Sequence, residues 1–518
     1  AKNMRKAPQA IAKDIEKAID RSGFDRVVAD GPYVNFVVDR KAFAEQTLKE
    51  VEEKGSLYGR HDQTGKVAVI EFPAPNTNKP LHLGHVRNML LGQSTARILE
   101  AAGWTVKRVN LNNDRGIHIC KSMVAYQKWG KQAMPDKKSD HFVGDFYVRF
   151  AQESKSDPTL EEEAREMLRK WEAGDEEVLS LWRRMNTWAL DGFQKTYERF
   201  GISFDRQYYE SRFWTEGKQI ILDALEKGTF RRTPDGAVEA VLAPGLPDKI
   251  LLRSDGTSVY MTQDIYLAKL KHDDFEYDWS IYVVGSEQDL HFQQLFRILD
   301  MLGFAKVRGC FHLSYGLIDL PSGRMKSREG TVVDADDFLD EVVLLSEQEV
   351  EKRHALAKEE IKARADTIGK GAIFFYILKY DPVKSFTYDP KESLSFEGET
   401  GPYIQYAYAR IRSIQRKATR TSQAVDYSLL SSDQERVLVM MLARYPEVVR
   451  DAARNLRAST VARFALELAQ AFNEYYHATP VIQDDAALQQ ARLSLIDAVA
   501  AVLQSALGLL GIACVEEM

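Results

Sequence analysis

The sequence predicts an α/β protein organised around a parallel sheet, and three observations predict it. KVAVIEF (66–72) is a continuous apolar stretch, the composition of a strand buried on both faces. The loop APNTNKPLHLGH (74–85) follows and runs into a helix with an apolar stripe that ends at Gly103. WTVKRVNLN (104–112) then supplies the next strand. Strand, loop, helix and strand make one βαβ unit, the building block of a nucleotide-binding type of sheet.

Taken in order, residues 5–20 have helical spacing, and VVADGPYVNFVVD (27–39) reads as two short strands about a Gly31-Pro32 turn. This small α+β unit occupies 1–60. The parallel-sheet domain occupies 61–340, interrupted at about 125–245 by a charged helical insertion broken at Gly174. KILLRSDGTSVYMT (249–262) reads as a hairpin on Asp255-Gly256. SIYVVG (280–285) and CFHLSYGLI (310–318) are two more apolar strands. A helical connecting segment (341–395) leads to an all-helical region at 396–518.

The bulk numbers set limits. A chain of 518 residues exceeds one hydrophobic core and suggests roughly three domains. With 44% hydrophobic and 28% charged residues it is ordinary globular material. The net charge of −6 means that any polyanion must meet a local basic patch. Three separated cysteines, Cys120, Cys310 and Cys514, fit a reducing cytoplasm rather than a disulfide or cysteine–zinc framework. No continuous apolar run reaches the ~18 residues of a membrane span, and the charged N-terminus is unlike a signal peptide. The first residue is Ala1, which leads us to expect a natural chain beginning further upstream and a truncated N-terminal unit.

Three chemistries suit HLGH at a strand-to-helix junction. A helix N-terminus offers free N–H groups and a positive dipole end to phosphate, two imidazoles add donors, and Gly84 lets a flat ring approach the backbone. Zinc competes, because His82 and His85 at i and i+3 share a helix face, but neither an HExxH acid nor a cysteine pair accompanies them. A satisfied helix start is the third reading. Late in the same domain, SGRMKSREGTVVD (322–334) carries Arg324, Lys326 and Arg328, which suits the pyrophosphate end of ATP or simply an exposed basic loop.

HLGH followed much later by such a loop resembles the paired HIGH and KMSKS motifs of class I aminoacyl-tRNA synthetases. The likeness narrows to the arginyl-tRNA synthetases through GPYVNF (31–36), PNTNKPLHLGH (75–85), SDGTSVYMTQDI (254–265), YVVGSEQDLHF (282–292), TGPYIQYAYARIRSI (400–414), LARYPEVVRDAARNLR (442–457) and ALGLLGIACVEEM (506–518). The resemblance implies a Rossmann-type catalytic domain, a helical anticodon-binding domain and an N-terminal domain that touches the tRNA elbow. It implies ATP contacts from His82, Gly84, His85 and Lys326, with Lys79 supplying further charge. It implies an arginine pocket of Ala74, Asn76, His85, Tyr260, Asp264 and Gln288. A guanidinium is a planar fork of donors that a carboxylate such as Asp264 matches bidentately, and a pocket of paired polar groups rejects isosteres by roughly 10⁴-fold without editing.

Two departures stand out. Aligned on Met325, RMKSR replaces the first lysine of KMSKS by Arg324 and the second by Ser327, and puts Lys326 at the serine position. In NLNNDRGIHICKSM (110–123), Arg115 and His118 take the places of an expected tryptophan and glutamine. For tRNA, the resemblance implies Asn35 and Phe36 at the elbow, and Tyr406 and Arg410 in the helical anticodon-binding domain. AYARIRSIQRKATRT (407–421) carries five cations and no acid, either a phosphate-binding face or a solvated one. The expectation is a monomeric cytoplasmic enzyme that uses L-arginine, Mg-ATP and tRNA(Arg), with no structural metal and no membrane partner. A small-molecule nucleotidyltransferase and a non-catalytic tRNA-binding paralogue remain as alternatives.

Overall fold

Phe24–Asp30 (β1) and Tyr33–Val38 (β2) form the antiparallel hairpin expected near the N-terminus. The chain turns at Gly31, whose φ of +57° suits a residue without a side chain, and Pro8–Ala18 (α1) packs on the pair. Arg40–Lys54 (α2) begins at Asp39, whose carboxylate accepts from the Ala42 N–H. The computed structural model describes residues 4–319, 333–353, 356–420 and 424–518.

Next come Val67–Glu71 (β3), Leu83–Ala101 (α3) and Thr105–Asn112 (β4), the βαβ unit read from sequence. Four helices follow: Ile117–Trp129 (α4), Ser139–Glu153 (α5), Thr159–Glu172 (α6) and Glu176–Phe200 (α7). Their own core includes Met123, Tyr126, Phe142, Trp171 and Trp188. Arg206–Tyr209 (β5) then pairs parallel with β4. This corrects one expectation, since β5 lies within the stretch read as insertion yet belongs to the central sheet. Glu216–Glu226 (α8) precedes a small antiparallel sheet of Arg231–Arg232 (β6), Val238–Ala240 (β7) and Lys249–Leu252 (β8). The expected return strand after Asp255-Gly256 shrinks to one bridge, Leu252 to Ser258, because Tyr260–Phe275 (α9) begins immediately afterwards.

Trp279–Gly285 (β9), Asp289–Met301 (α10) and Cys310–Tyr315 (β10) complete a five-stranded, all-parallel sheet of order β10-β9-β3-β4-β5. Strand order reverses between β3 and β9, so their C-terminal ends flank the crevice where such sheets take ligands. Side chains of β3 alternate between two cores. Val69 meets α8, α9 and α10, whereas Ala68 and Ile70 meet the core shared with the C-terminal helices.

Ile318–Asp319 (β11) pairs with Phe386–Thr387 (β12), which lies beyond Ala335–Arg353 (α11) and Lys358–Leu378 (α12). Pro390–Ser393 (α13) leads into the C-terminal body of Gly401–Lys417 (α14), Asp433–Asn455 (α15), Ala458–Ala478 (α16) and Ala486–Leu509 (α17). By length and composition α17 could cross a membrane, and 67% of its apolar window is buried inside this protein. It is a core helix.

The centre of the fold is α3. Fifteen of its nineteen residues are buried, under the sheet on one side and α11, α12, α15, α16 and α17 on others. Gly92 allows the closest approach, since a Cβ there would lie 2.2 Å from the ring of Phe72. Arg87 holds the helix to two distant segments. Its guanidinium is buried with no carboxylate partner among the described residues and donates to four backbone carbonyls, Gly316 (2.6 Å), Leu317 (3.3 Å), Pro382 (2.9 Å) and Lys384 (2.7 Å). Its group also lies 4.8 Å from the Phe386 ring. Arg87→Met should destabilise the protein by about 3 kcal/mol, because four buried acceptors lose their donor. Urea unfolding of the two proteins measures the difference.

Candidate active site

HLGH forms the first turn of α3, and its two imidazoles first satisfy the helix start. His82 is the N-cap: its Nδ1 accepts from the Gly84 N–H at 3.1 Å, and its own N–H donates to His85 Nδ1 at 3.1 Å. The rings lie 3.9 Å apart. A nitrogen that accepts from an amide carries no proton, so each neutral ring keeps its proton on Nε2. Both are neutral. Burial, then Lys79, pushes His82 down to about 4, and burial, then His82, holds His85 well below its usual range. Capping and phosphate handling are therefore compatible, because capping uses Nδ1 and leaves two Nε2–H donors. Gly84 has a second reason to be glycine. A Cβ would sit 2.9 Å from His82 Cε1, so the ring occupies the space that a side chain would need.

Lys326, with Arg324 and Arg328, lies outside the described residues. Where the chain is described again, it is laced to the HLGH turn: Leu83 N–H donates to Val333 O, and Ala335 N–H to Leu81 O. Asp334 then caps α11 through Asp336 and Asp337. A cavity of about 200 Å³ beside this junction is lined by Lys79, His82, Lys137, His141, Tyr147 and Asp334. His141 Nε2 lies 3.1 Å from Asp334 Oδ2, and that carboxylate raises the His141 pKa. His141, Asp334 and Asp336 bring metal-type donors within 4.8 Å of one another, a grouping that sequence spacing did not show. Lys138, 2.9 Å from Asp336, already supplies a cation there.

Of the residues that the resemblance assigns to an amino-acid pocket, Tyr260 and Asp264 lie where α9 begins and Gln288 where α10 begins, while Ala74 and Asn76 lie on the loop after β3. Asp264 and Tyr260 share the first turns of α9, as the spacing suggested. Asp264 is 27% exposed, and its Oδ2 pairs with His291 Nε2 at 2.6 Å. The Tyr260 side chain, by contrast, is 71% exposed rather than walled in. Gln288 caps α10 at the end of β9 and is exposed. Asn76 is exposed and its backbone bridges to Asn113, whose side chain donates to the Ala74 carbonyl at 3.0 Å.

Sequence reasoning missed several partners. Asp264 is not a solitary acid: Glu210, 5% exposed, is close enough to interact with it, and Asp114 is bound by the Ser211 N–H and hydroxyl. Burial pushes the Glu210 carboxyl up to about 7, against a downward pull from Arg115. At the end of β3, Glu71 pairs with the fully buried Lys271 at 2.7 Å, whose Nζ lies 3.5 Å over the Tyr282 ring. An acid closing the apolar run VAVI was the one sequence signal for that pair.

The family described as tRNA synthetases class I (R), catalytic domain, matches residues 47–389, more than half of this chain. The chain belongs to the arginyl-tRNA synthetases. The arginyl tRNA synthetase N terminal domain matches 1–38, and the DALR anticodon binding domain matches 404–518. Arginine--tRNA ligase of Parabacteroides distasonis is 47% identical, over 87% of this chain and 81% of its own. Arginine--tRNA ligase of Porphyromonas gingivalis is 42% identical, over 100% of this chain and 92% of its own. The solved arginyl-tRNA synthetase of Thermus thermophilus superposes with a TM-score of 0.87 at 28% identity, covering 100% of this chain and 93% of that one.

In this arginyl-tRNA synthetase, the two sequence-derived tRNA surfaces differ in openness. Asn35 and Phe36 are exposed on β2, with Phe36 packed 5.0 Å from Phe24. On α14 the basic stripe divides. Arg412, Arg416 and Arg420 are tied to Glu516, Glu517 and Asp497, so most of it is not open positive charge. Arg410 instead faces a groove of about 1200 Å³ shared with Tyr403, Tyr406, Asn473 and His477. Its guanidinium lies 4.7 Å from the rings of both Tyr406 and Tyr476.

One pH effect follows from the His82 environment. The unfolded ring titrates near 6.5 and the folded one near 4, so falling pH loads protons onto the unfolded chain first. Stability from this group is complete above 6.5 and declines through that window, by about 2 kcal/mol between pH 7 and pH 5. Urea midpoints at the two pH values should show the slope, and His82→Gln should flatten it.

Proposed function

We infer that the chain is an arginine–tRNA ligase. It activates L-arginine with ATP to arginyl-adenylate, then transfers the arginyl group to the 3′-terminal ribose of tRNA(Arg). The observation that carries this is full-length kinship with Arginine--tRNA ligases, joined to an intact HLGH turn at the sheet's switch point. The nucleotidyltransferase alternative leaves the DALR match unexplained, and relatives named Arginine--tRNA ligase at 42–47% identity favour a catalytic chain over a non-catalytic paralogue.

In the first step an arginine carboxylate oxygen attacks the α-phosphorus, the bond to the β-phosphate oxygen breaks, and pyrophosphate leaves. In the second a ribose hydroxyl, the 2′-OH by class, attacks the arginyl carbonyl, loses its proton, and AMP departs. The chemistry needs no protein nucleophile, and alignment with stabilisation of spreading charge is the protein's part. The assigned roles are Nε2–H donation to phosphates by His82 and His85, adenine contact at Gly84, and pyrophosphate charge from Lys326 and Lys79. Asp264 takes the substrate guanidinium, with Asn76, Tyr260, Gln288, His85 and the Ala74 backbone around the amino acid. Mg2+ enters with ATP. Arg410 and Tyr406 suit an unstacked anticodon-loop base, and Asn35 and Phe36 the elbow. Its three cysteines are unpaired, in keeping with a reducing cytoplasm, and one continuous core from α2 to α17 favours a monomer.

ATP–pyrophosphate exchange tests the assignment: it should require arginine, and tRNA with it, and exchange driven by another amino acid would refute it. Asp264→Asn should raise the arginine KM at least about a hundredfold while ATP KM changes little; an unchanged arginine KM would remove Asp264 from the pocket. Arg410→Ala should raise the tRNA KM about tenfold in aminoacylation and leave arginine KM alone.

A further inference from the structure

Arg115, where the resemblance led us to expect tryptophan, has no part in the reaction scheme. It lies in the turn after β4, its guanidinium carbon 4.4 Å from the Trp214 ring and 5.4 Å from that of Trp171. Nη2 donates to Glu172 Oε1 at 2.6 Å, and Nη1 lies 3.9 Å from Glu210 Oε1. Only 11% of the side chain is exposed. A planar, always-charged group fits two indole faces and two carboxylates at once; a lysine would not. Trp171 and Glu172 end α6, in the helical insertion, whereas Glu210 follows β5 and lies near Tyr260 and Asp264. One cation thus joins the insertion to the acidic wall of the pocket.

We propose that Arg115 is a positioning residue for the arginine pocket: it holds Glu210 ionised beside Asp264 as a second anion for the substrate's cationic end, and Glu172 sets how strongly it does so. This rests on the placement of the pocket at Asp264. The groups facing Glu210 are Arg115 and Asp114 from the turn after β4, and Tyr260, Asp264 and the hydrogen-bonding Gln263 side chain from α9. Arg212 lies on its own turn, and Glu172 sits behind Arg115. Burial drives the Glu210 carboxyl up, Arg115 draws it down, and Asp114 and Asp264 push it up again. Removing Arg115 leaves a buried carboxyl among acids, which takes a proton. Removing the charge of Glu172 takes away an anion competing for Arg115, which steadies Glu210 as a carboxylate.

The two substitutions therefore act with opposite signs, which a purely structural role would not produce. The measurement is aminoacylation by the full chain, with arginine kcat/KM and ATP KM followed across about pH 5.5 to 8.5. For the unaltered protein, arginine kcat/KM should rise through an inflection near 7. Arg115→Gln should move that inflection upward and raise the arginine KM about tenfold at neutral pH, with ATP KM within about twofold. Glu172→Gln, on the partly exposed end of a helix, should move it downward, and Glu210→Gln should abolish it. Profiles unmoved by both Arg115→Gln and Glu172→Gln would overturn the proposal, as would equal rises in both KM values. If Asp264→Asn leaves arginine KM unchanged, it is the pocket placement that fails instead.

Discussion

A buried guanidinium with no carboxylate beside it is an expensive thing to fold, and the structure accepts it at Arg87. Burial pushes that group down to about 10, yet it remains a cation, held by carbonyls from residues 316–317 and 382–384. The first pair immediately follows β10, and the second precedes β12. Both are thereby fixed to α3 two residues after His85. Asn88, one position on, adds a second tie to the end of β10 by donating to the Tyr315 hydroxyl at 3.1 Å. The downstream side is fixed separately, by the backbone pairing of Val333 and Ala335 with Leu83 and Leu81. The histidine pair is thus held in a frame made by several parts of the chain.

That frame explains why a neutral histidine pair is acceptable at an anion site. A charged imidazole would attract phosphate more strongly, but burial on a crowded helix end disfavours the charge. The helix N-terminus supplies the positive potential instead, through its dipole and free N–H groups. The opposite logic rules the other end of the crevice. There Asp264, Glu210 and Asp114 crowd negative charge together, and His291, Arg115 and Ser211 each restrain one of them. The insertion reaches that cluster through Trp171 and Glu172, which hold Arg115, despite belonging to a separate core.

Much of the fold was legible because the relevant signals are local. β3 is a dry strand with a continuous apolar sequence, and the Gly31 hairpin announces its turn. β5 was not legible, since RQYY is a short edge strand with one buried residue and the polarity of the insertion around it. The stretch after Gly256 misled because Ser258, Val259 and Tyr260 suit a strand, whereas the chain turns helical there to pack α9 on the sheet. HLGH was visible as a strand-to-helix junction, but its spacing left phosphate, zinc and a satisfied helix start open until the resemblance was added. The partners of Asp264 were not legible: His291 is 27 positions away in another helix, and Glu210 belongs to a turn beyond the insertion. The same blindness applies to α14, where the acids that neutralise Arg412, Arg416 and Arg420 arrive from positions 497, 516 and 517.

The enclosure of α3 carries a consequence for synthesis. Ser94 on that helix donates to the carbonyl of Leu509, 415 positions later, and the would-be Cβ of Gly511 meets Arg97. Translation therefore delivers the helix bearing both imidazoles long before the surfaces that will cover it. In the interval its apolar sides have no native cover from α15, α16 or α17, a state prone to association with other nascent chains. At roughly 5–20 residues per second, α17 is made tens of seconds after α3, so the helix that bears both imidazoles gains its native cover only once α17 has left the ribosome.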